Sequence, residues 1–269
     1  MKKIGLIAGS GQFPIIFSKA ARADGYRVYA VAHLNETDAS LARHVDDIEW
    51  VHLGQLKRLL NFFKKHDVAQ AVMMGGIQKT RMFRDIRPDI KALSLVAGLL
   101  HTNDDGLLRA LADFLEKEGV RVLSATFLLP HLLAEEGCWT KRKPGRAEEA
   151  DIRVGWRIAK EIGRLDVGQC VVISNGSVLA VEAIDGTDST IKRGGRLGNG
   201  SGVVVKVCKP EQDTRFDVPA VGVRTIETMK DAGVKALAIE AGNAVVFDRQ
   251  EMIALANAHG ISIVALKEA

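Results

Sequence analysis

Ile4-Gly5-Leu6-Ile7-Ala8-Gly9-Ser10-Gly11-Gln12-Phe13-Pro14 is the stretch that decides the fold. Residues 4–8 are a short, mostly apolar run bounded by glycine, the length and composition of a buried strand. Gly9-Ser10-Gly11 then turns the chain, and Pro14 suits the first turn of a helix, where a missing amide hydrogen costs little. Residues 14–23 carry apolar side chains at spacings of three and four, the helix period. Strand, glycine turn and helix together open an α/β unit, whose ligands bind beyond the carboxyl ends of its strands.

The same alternation continues outward. Apolar runs at 28–32, 48–53, 71–74 and 120–123 read as strands, with helical periods at 55–65 and 105–118 between them. Such alternation implies a parallel sheet covered on both faces, so residues 1–137 are expected to form a Rossmann-like amino-terminal domain. Thr140-Lys141-Arg142-Lys143-Pro144-Gly145-Arg146 is polar and basic with Pro and Gly at its centre, which marks 138–150 as a linker. Beyond it the pattern predicts a helix over 148–163 and strands over 170–174, 178–183 and 203–207. Asn175-Gly176 reads as a hairpin turn and the glycine-rich 194–200 as a connecting loop. Helices at 225–232 and 249–259 and strands at 236–239, 245–247 and 262–266 complete a second α/β domain, 151–269.

A chain of 269 residues, 47% hydrophobic, has enough apolar content for two such cores. The net charge of +4 is mild and no arginine stripe interleaves with aromatics, so nucleic acid is excluded as the expected partner. Cys138, Cys170 and Cys208 have neither zinc-site spacing nor the density of a disulfide framework, which points to a reducing compartment. The first apolar run is too short for a secretory signal, and no run is long enough to span a bilayer. A cytoplasmic protein is expected.

The chemistry concentrates in Val181-Glu182-Ala183-Ile184-Asp185-Gly186-Thr187-Asp188 and in Lys206-Val207-Cys208-Lys209-Pro210-Glu211-Gln212-Asp213-Thr214-Arg215-Phe216-Asp217-Val218-Pro219. Two like charges about 5 Å apart repel by roughly 3 kcal/mol at an effective dielectric near 20, so clustered carboxylates need a counter-charge. Mg²⁺ supplies one, taking one or two carboxylates and completing its shell with water and phosphate. Asp217, Asp213, Asp188 and Glu182 are the candidate metal ligands, with Asp217 and Asp213 also the candidates for catalysis. Arg215 and Lys206 are candidate phosphate clamps, one a planar fork and the other a point charge. Alternation along its strand equally allows Lys206 to face solvent. Thr187 and Gln212 offer neutral hydrogen bonds, and Asp185-Gly186 by itself is a turn signal.

Gly9, Ser10, Gly11, Gln12 and Phe13 open the first helix, where amides and the helix dipole favour phosphate. Gly75, Gly76, Gln78 and Lys79 end another strand and are candidates for the same crevice. A dinucleotide fingerprint needs glycine where Pro14 stands, and a ribose-binding acid where the chain has His33-Leu34-Asn35. A nucleotide-binding oxidoreductase and a non-catalytic nucleotide or lipid carrier stay open as alternatives.

Residues 4–14, Gly75-Gly76, residues 181–188, Arg215-Phe216-Asp217-Val218-Pro219 and Glu240-Ala241-Gly242, in that order along nearly the whole chain, resemble the UDP-2,3-diacylglucosamine pyrophosphatases of the LpxI type. The resemblance implies Mg²⁺-dependent hydrolysis of UDP-2,3-diacylglucosamine to UMP and 2,3-diacylglucosamine 1-phosphate, lipid X, in lipid A biosynthesis. The resemblance further suggests a homodimer, and a peripheral contact with the cytoplasmic face of the inner membrane stays open. In the family the aspartate of a Phe-Asp-x-Pro motif is linked to catalysis, and Asp217 matches it.

Overall fold

The computed structural model describes residues 1–77, 87–97 and 104–268, with backbone alone for 94–97 and 104–105. Gln78 and Lys79 lie outside the described residues. The chain divides into two compact units, Met1–Pro130 with Asp213–Asp217, and His131–Gln212 with Val218–Ala269.

In the first unit, β1 (Lys2–Ala8), β2 (Tyr26–His33), β3 (Asp47–Val51), β4 (Gln70–Met74) and β5 (Arg121–Val122) form a parallel sheet in the order β3-β2-β1-β4-β5. Helices α1 (Phe13–Ala23), α2 (Leu56–Lys65), α3 (Ile90–Ala97) and α4 (Asp104–Lys117) accompany it. This is the expected Rossmann-like order, and the strand sequence reverses direction between β1 and β4. Leu59, Leu60, Phe62 and Phe63 of α2 enter a core with Val31, Val51 and Leu115. Each such buried side chain contributes about 1.5–3 kcal/mol from loss of apolar hydration.

In the second unit, β6 (Gly137–Cys138), β7 (Cys170–Ser174), β8 (Ser177–Val181), β9 (Val203–Lys206), β11 (Ala236–Glu240) and β13 (Ser262–Leu266) form a mixed sheet, ordered β6-β13-β11-β9-β7-β8. The short β10 (Ala220–Val221) and β12 (Val245–Val246) pair in parallel beside it. The predicted hairpin joins β7 to β8, with Asn175 and Gly176 at φ 50° and 74°, the positive angles that its turn needs. Alternation along the strands feeds two cores. Val171, Val203 and Val205 meet Ile152 and Trp156 of α5 (Arg146–Arg164). Val172, Val204 and Ile263 belong with Ile191 of α6 (Gly186–Leu197), Met229 of α7 (Val223–Ala232) and Met252 of α8 (Arg249–Ala258).

Three sequence expectations are corrected. Residues 138–150 are structured parts of the second unit: Cys138 pairs with Val264, and Thr140 Oγ1 accepts the Ile263 N–H at 3.0 Å. Arg142 spans to Glu148 at 2.6 and 2.8 Å, to the Lys235 carbonyl at 3.1 Å and to Ser262 Oγ at 2.8 Å. Arg142 there satisfies strand-end acceptors instead of solvating a tether. The glycines of 194–200 do not make a loop throughout, because Gly194 and Gly195 sit inside α6. A Cβ at Gly194 would lie 2.5 Å from Val172 Cβ, and one at Gly195 2.3 Å from the Ala232 carbonyl oxygen, so these glycines serve close helix packing. Finally, Asp213–Asp217 departs from its neighbours in sequence and folds with the first unit.

Candidate active site

At the carboxyl ends of β1 and β4 the two glycine loops are joined. Gly9 N–H donates to the Met74 carbonyl at 2.8 Å, Ser10 N–H to Gly76 at 2.7 Å, and Gly76 N–H back to Ser10 at 3.2 Å. Ser10 Oγ adds a 2.8 Å bond to the Gly76 carbonyl. Gly75 has φ +88°, and a Cβ on it would fall 2.4 Å from the Ser10 carbonyl oxygen. Gly9, Ser10, Gly11, Gln12, Phe13, Gly75 and Gly76 are thus brought to one place, the switch point where open α/β sheets bind ligands. Gln12 is the residue preceding α1, whose first turn carries Pro14 and no acidic side chain. Its amide end therefore suits an anion.

Behind this cradle, where the sequence shows no ribose-binding acid, His33 ends β2. Its Nδ1 lies 2.9 Å from the Ala8 carbonyl, which also accepts Thr37 Oγ1 at 2.6 Å. Burial pushes the imidazole below its usual 6.5, only partly opposed by the carbonyl bond. A neutral ring donating from Nδ1 thus pins the residue before Gly9. Sequence reasoning missed this role, since periodicity carries no signal for it. Below about pH 6.5 the unfolded chain takes up a proton that the folded His33 resists, so stability falls as pH drops. His33→Gln is expected to flatten that loss between pH 7 and 5, read from urea midpoints.

Within the first unit, Asp213–Asp217 is a tight turn in which Phe216 and Asp217 N–H both donate to the Asp213 carbonyl at 3.2 Å. Phe216 packs against the core cluster of that unit. The Thr214 carbonyl accepts Ala125 N–H at 3.1 Å and Ser124 Oγ at 3.3 Å. Arg215 grips Asp213 through Nε–Oδ1 at 3.0 Å and Nη2–Oδ2 at 2.7 Å, and reaches Glu116 at 3.3 Å. Burial pushes the Asp213 carboxyl up, but the Arg215 fork, its backbone N–H and the charges of Arg215 and Arg109 outweigh this and lower it. Asp213 is therefore an ion-pair partner, and Arg215 is held between two carboxylates. Asp217 is half-buried at the end of the turn.

In the second unit, Glu182 is 8% exposed and accepts the Gln169 N–H at 3.0 Å and Thr187 Oγ1 at 2.6 Å. Lys206, also 8% exposed, donates to Thr187 Oγ1 at 3.1 Å and to the Ala220 carbonyl at 2.9 Å. The alternative in which Lys206 faces solvent does not hold, since both faces of β9 are covered, and the expected phosphate clamp has its ammonium engaged by these two protein oxygens. Gln212 Oε1 accepts the Lys209 N–H at 2.8 Å. Asp188 pairs with Arg224 at 2.9 Å, and Asp185 with Arg193 at the start of α6. A second network went unread in the sequence: buried Glu240 accepts Lys160 Nζ at 2.6 Å, Cys208 N–H at 2.8 Å and Asn243 Nδ2 at 2.9 Å.

The four carboxylates expected to hold Mg²⁺ are divided between the units, Asp213 and Asp217 in one and Glu182 and Asp188 in the other. Among the described residues no three His, Cys, Asp or Glu side chains form a group that could hold a metal ion. Glu182, Asp188 and Asp213 are each engaged by the protein partners named above.

Residues 3–132 match the LpxI N-terminal domain and residues 135–264 the LpxI C-terminal domain. The chain belongs to the LpxI family. It is 34% identical over 278 residues to UDP-2,3-diacylglucosamine pyrophosphatase LpxI of Caulobacter vibrioides, covering 99% of this chain and 98% of that one. Among solved structures it resembles the ADP complex of purK, an N5-carboxyaminoimidazole ribonucleotide synthetase, at 14% identity and TM-score 0.29, over 64% of this chain and 32% of that one. The Thermotoga maritima synthetase of the same name aligns at 16% identity and TM-score 0.26, over 68% and 41% of the two chains. The two LpxI domains meet at 132–135, close to the Pro130–His131 division of the structure.

Proposed function

We propose that this chain hydrolyses the pyrophosphate of UDP-2,3-diacylglucosamine, releasing UMP and 2,3-diacylglucosamine 1-phosphate (lipid X), a step of lipid A biosynthesis. The carrying observation is the 34% identity to the Caulobacter vibrioides pyrophosphatase over 99% of the chain. The braced glycine loops at a strand-order switch point suit the phosphate that the substrate presents.

In this reaction a water oxygen bonds to one phosphorus while the bridging P–O bond breaks, and the water gives up its protons as the leaving phosphate departs. The anhydride is anionic and repels nucleophiles, so positioning and charge neutralisation carry most of the catalysis. Asp217 is proposed to orient the attacking water and take its proton, in the role that carboxylates fill in general base catalysis. Gly9 to Phe13, Gly75 and Gly76, with Gln78 and Lys79, are proposed to receive the nucleotide phosphate through amides and the α1 dipole. A bound Mg²⁺ would supply Lewis-acid neutralisation, with Asp217 the residue proposed to hold it. The reading includes a cytoplasmic homodimer that meets its diacyl substrate at the inner-membrane face. No helix among the described residues is long and apolar enough to cross a bilayer.

Phosphorus NMR on UDP-2,3-diacylglucosamine tests substrate, reaction and metal together. UMP and sugar 1-phosphate signals are expected with Mg²⁺, and at least tenfold slower release with chelator. An unchanged diphosphate signal at stoichiometric enzyme refutes the hydrolase, and equal rates with and without chelator refute the metal.

A further inference from the structure

We infer that Lys206 is a positioning residue for Asp217, anchoring the chain where it re-enters the second unit; the catalytic part of this inference rests on the hydrolase reading above. Lys206 closes β9, and its ammonium bonds the carbonyl of Ala220 at 2.9 Å, the first residue of β10. Only Val218 and Pro219 separate Asp217 from that anchor. Proline fixes φ near −65°, so little backbone freedom remains across the step. The Pro219 carbonyl is held as well, by Val245 N–H at 2.7 Å.

The anchor is backed by a directional chain of bonds. Thr187 has one hydroxyl proton and gives it to Glu182 at 2.6 Å, which leaves its lone pairs to accept Lys206 at 3.1 Å. Glu182 is itself fixed by Gln169 N–H at 3.0 Å. Carboxylate, hydroxyl, ammonium and carbonyl thus run in series through the interior, each polarising the next. Burying an ammonium costs several kcal/mol before its partners are counted. The preceding Val203, Val204 and Val205 show that this strand otherwise takes apolar residues. A phosphate clamp needs an ammonium open to ligand, whereas Lys206 is 8% exposed and spends two donors on protein oxygens.

Lys206→Met keeps the length and removes the charge. Hydrogen exchange by mass spectrometry is expected to quicken at least tenfold in peptides over 213–221 and to stay unchanged over β11. With UDP-2,3-diacylglucosamine, kcat is expected to fall about tenfold with KM within twofold. In an Asp217→Asn background the same change is expected to leave kcat unaltered, because residues acting through one another are not additive. Unchanged exchange over 213–221 overturns the inference, as does a raised KM with kcat retained, the mark of a direct phosphate contact. If Lys206→Met does not fold by circular dichroism, Thr187→Val removes the bridging hydroxyl and is read by the same exchange and kinetic criteria. Wild-type protein that releases no UMP would refute the hydrolase, while the exchange measurement still decides the anchor.

Discussion

Asp217→Ala is expected to lower kcat by about 10³-fold and leave KM for UDP-2,3-diacylglucosamine within threefold, the signature of a group that acts on the attacking water and not on substrate affinity. The Phe216 ring, the Thr214 carbonyl and the Arg215–Glu116 pair tie the turn to the first unit, and urea unfolding of the variant beside its kinetics separates lost chemistry from lost folding. Asp213→Asn should behave differently. That substitution loosens the Arg215 fork and reduces kcat by about tenfold, with a stability cost that grows with pH, because a lowered carboxyl stabilises the fold above its unfolded pKa and ceases to do so in acid. Steady-state release of UMP together with urea unfolding reads both variants. Near-normal turnover by Asp217→Ala would remove this residue from the reaction.

Strands 170–174 and 262–266 were legible to the residue, because β-branched runs bounded by turn signals have few other readings. Helix α6 was not. Its Gly-Thr-Asp-Ser-Thr opening and paired glycines look like loop composition, and only the packing against Val172 and Ala232 explains them. Site residues divided on similar physical lines. The placement of the glycine loops at strand ends was readable, since each follows a short apolar run. Partners distant in sequence were not: Lys160 and Glu240 are 80 positions apart, and Lys206 meets Ala220 only because a separate small sheet begins there. The excursion of Asp213–Asp217 is five residues long, too short for any period to betray that it folds with the other unit.

Gly75→Ala is the substitution expected to cost most in stability, about 3 kcal/mol, with uridine nucleotide affinity at least tenfold weaker. Two separate penalties meet at this position. The left-handed φ of +88° costs a residue with a Cβ roughly 1–2 kcal/mol. The added carbon would also stand 2.4 Å from the Ser10 carbonyl oxygen and 2.8 Å from Gly9 C, so backbone must shift. Shifting it strains the reciprocal Ser10–Gly76 hydrogen bonds, each worth about 1 kcal/mol net. Gly11→Ala isolates the first penalty, since Gly11 has φ +89° and nothing lies within 4 Å of the point where its methyl would stand. It should lose only about 1 kcal/mol. Urea unfolding and calorimetric titration with UMP would compare the pair. Equal losses at the two positions would mean that the loops are not braced against each other, and the phosphate cradle would lose its physical basis.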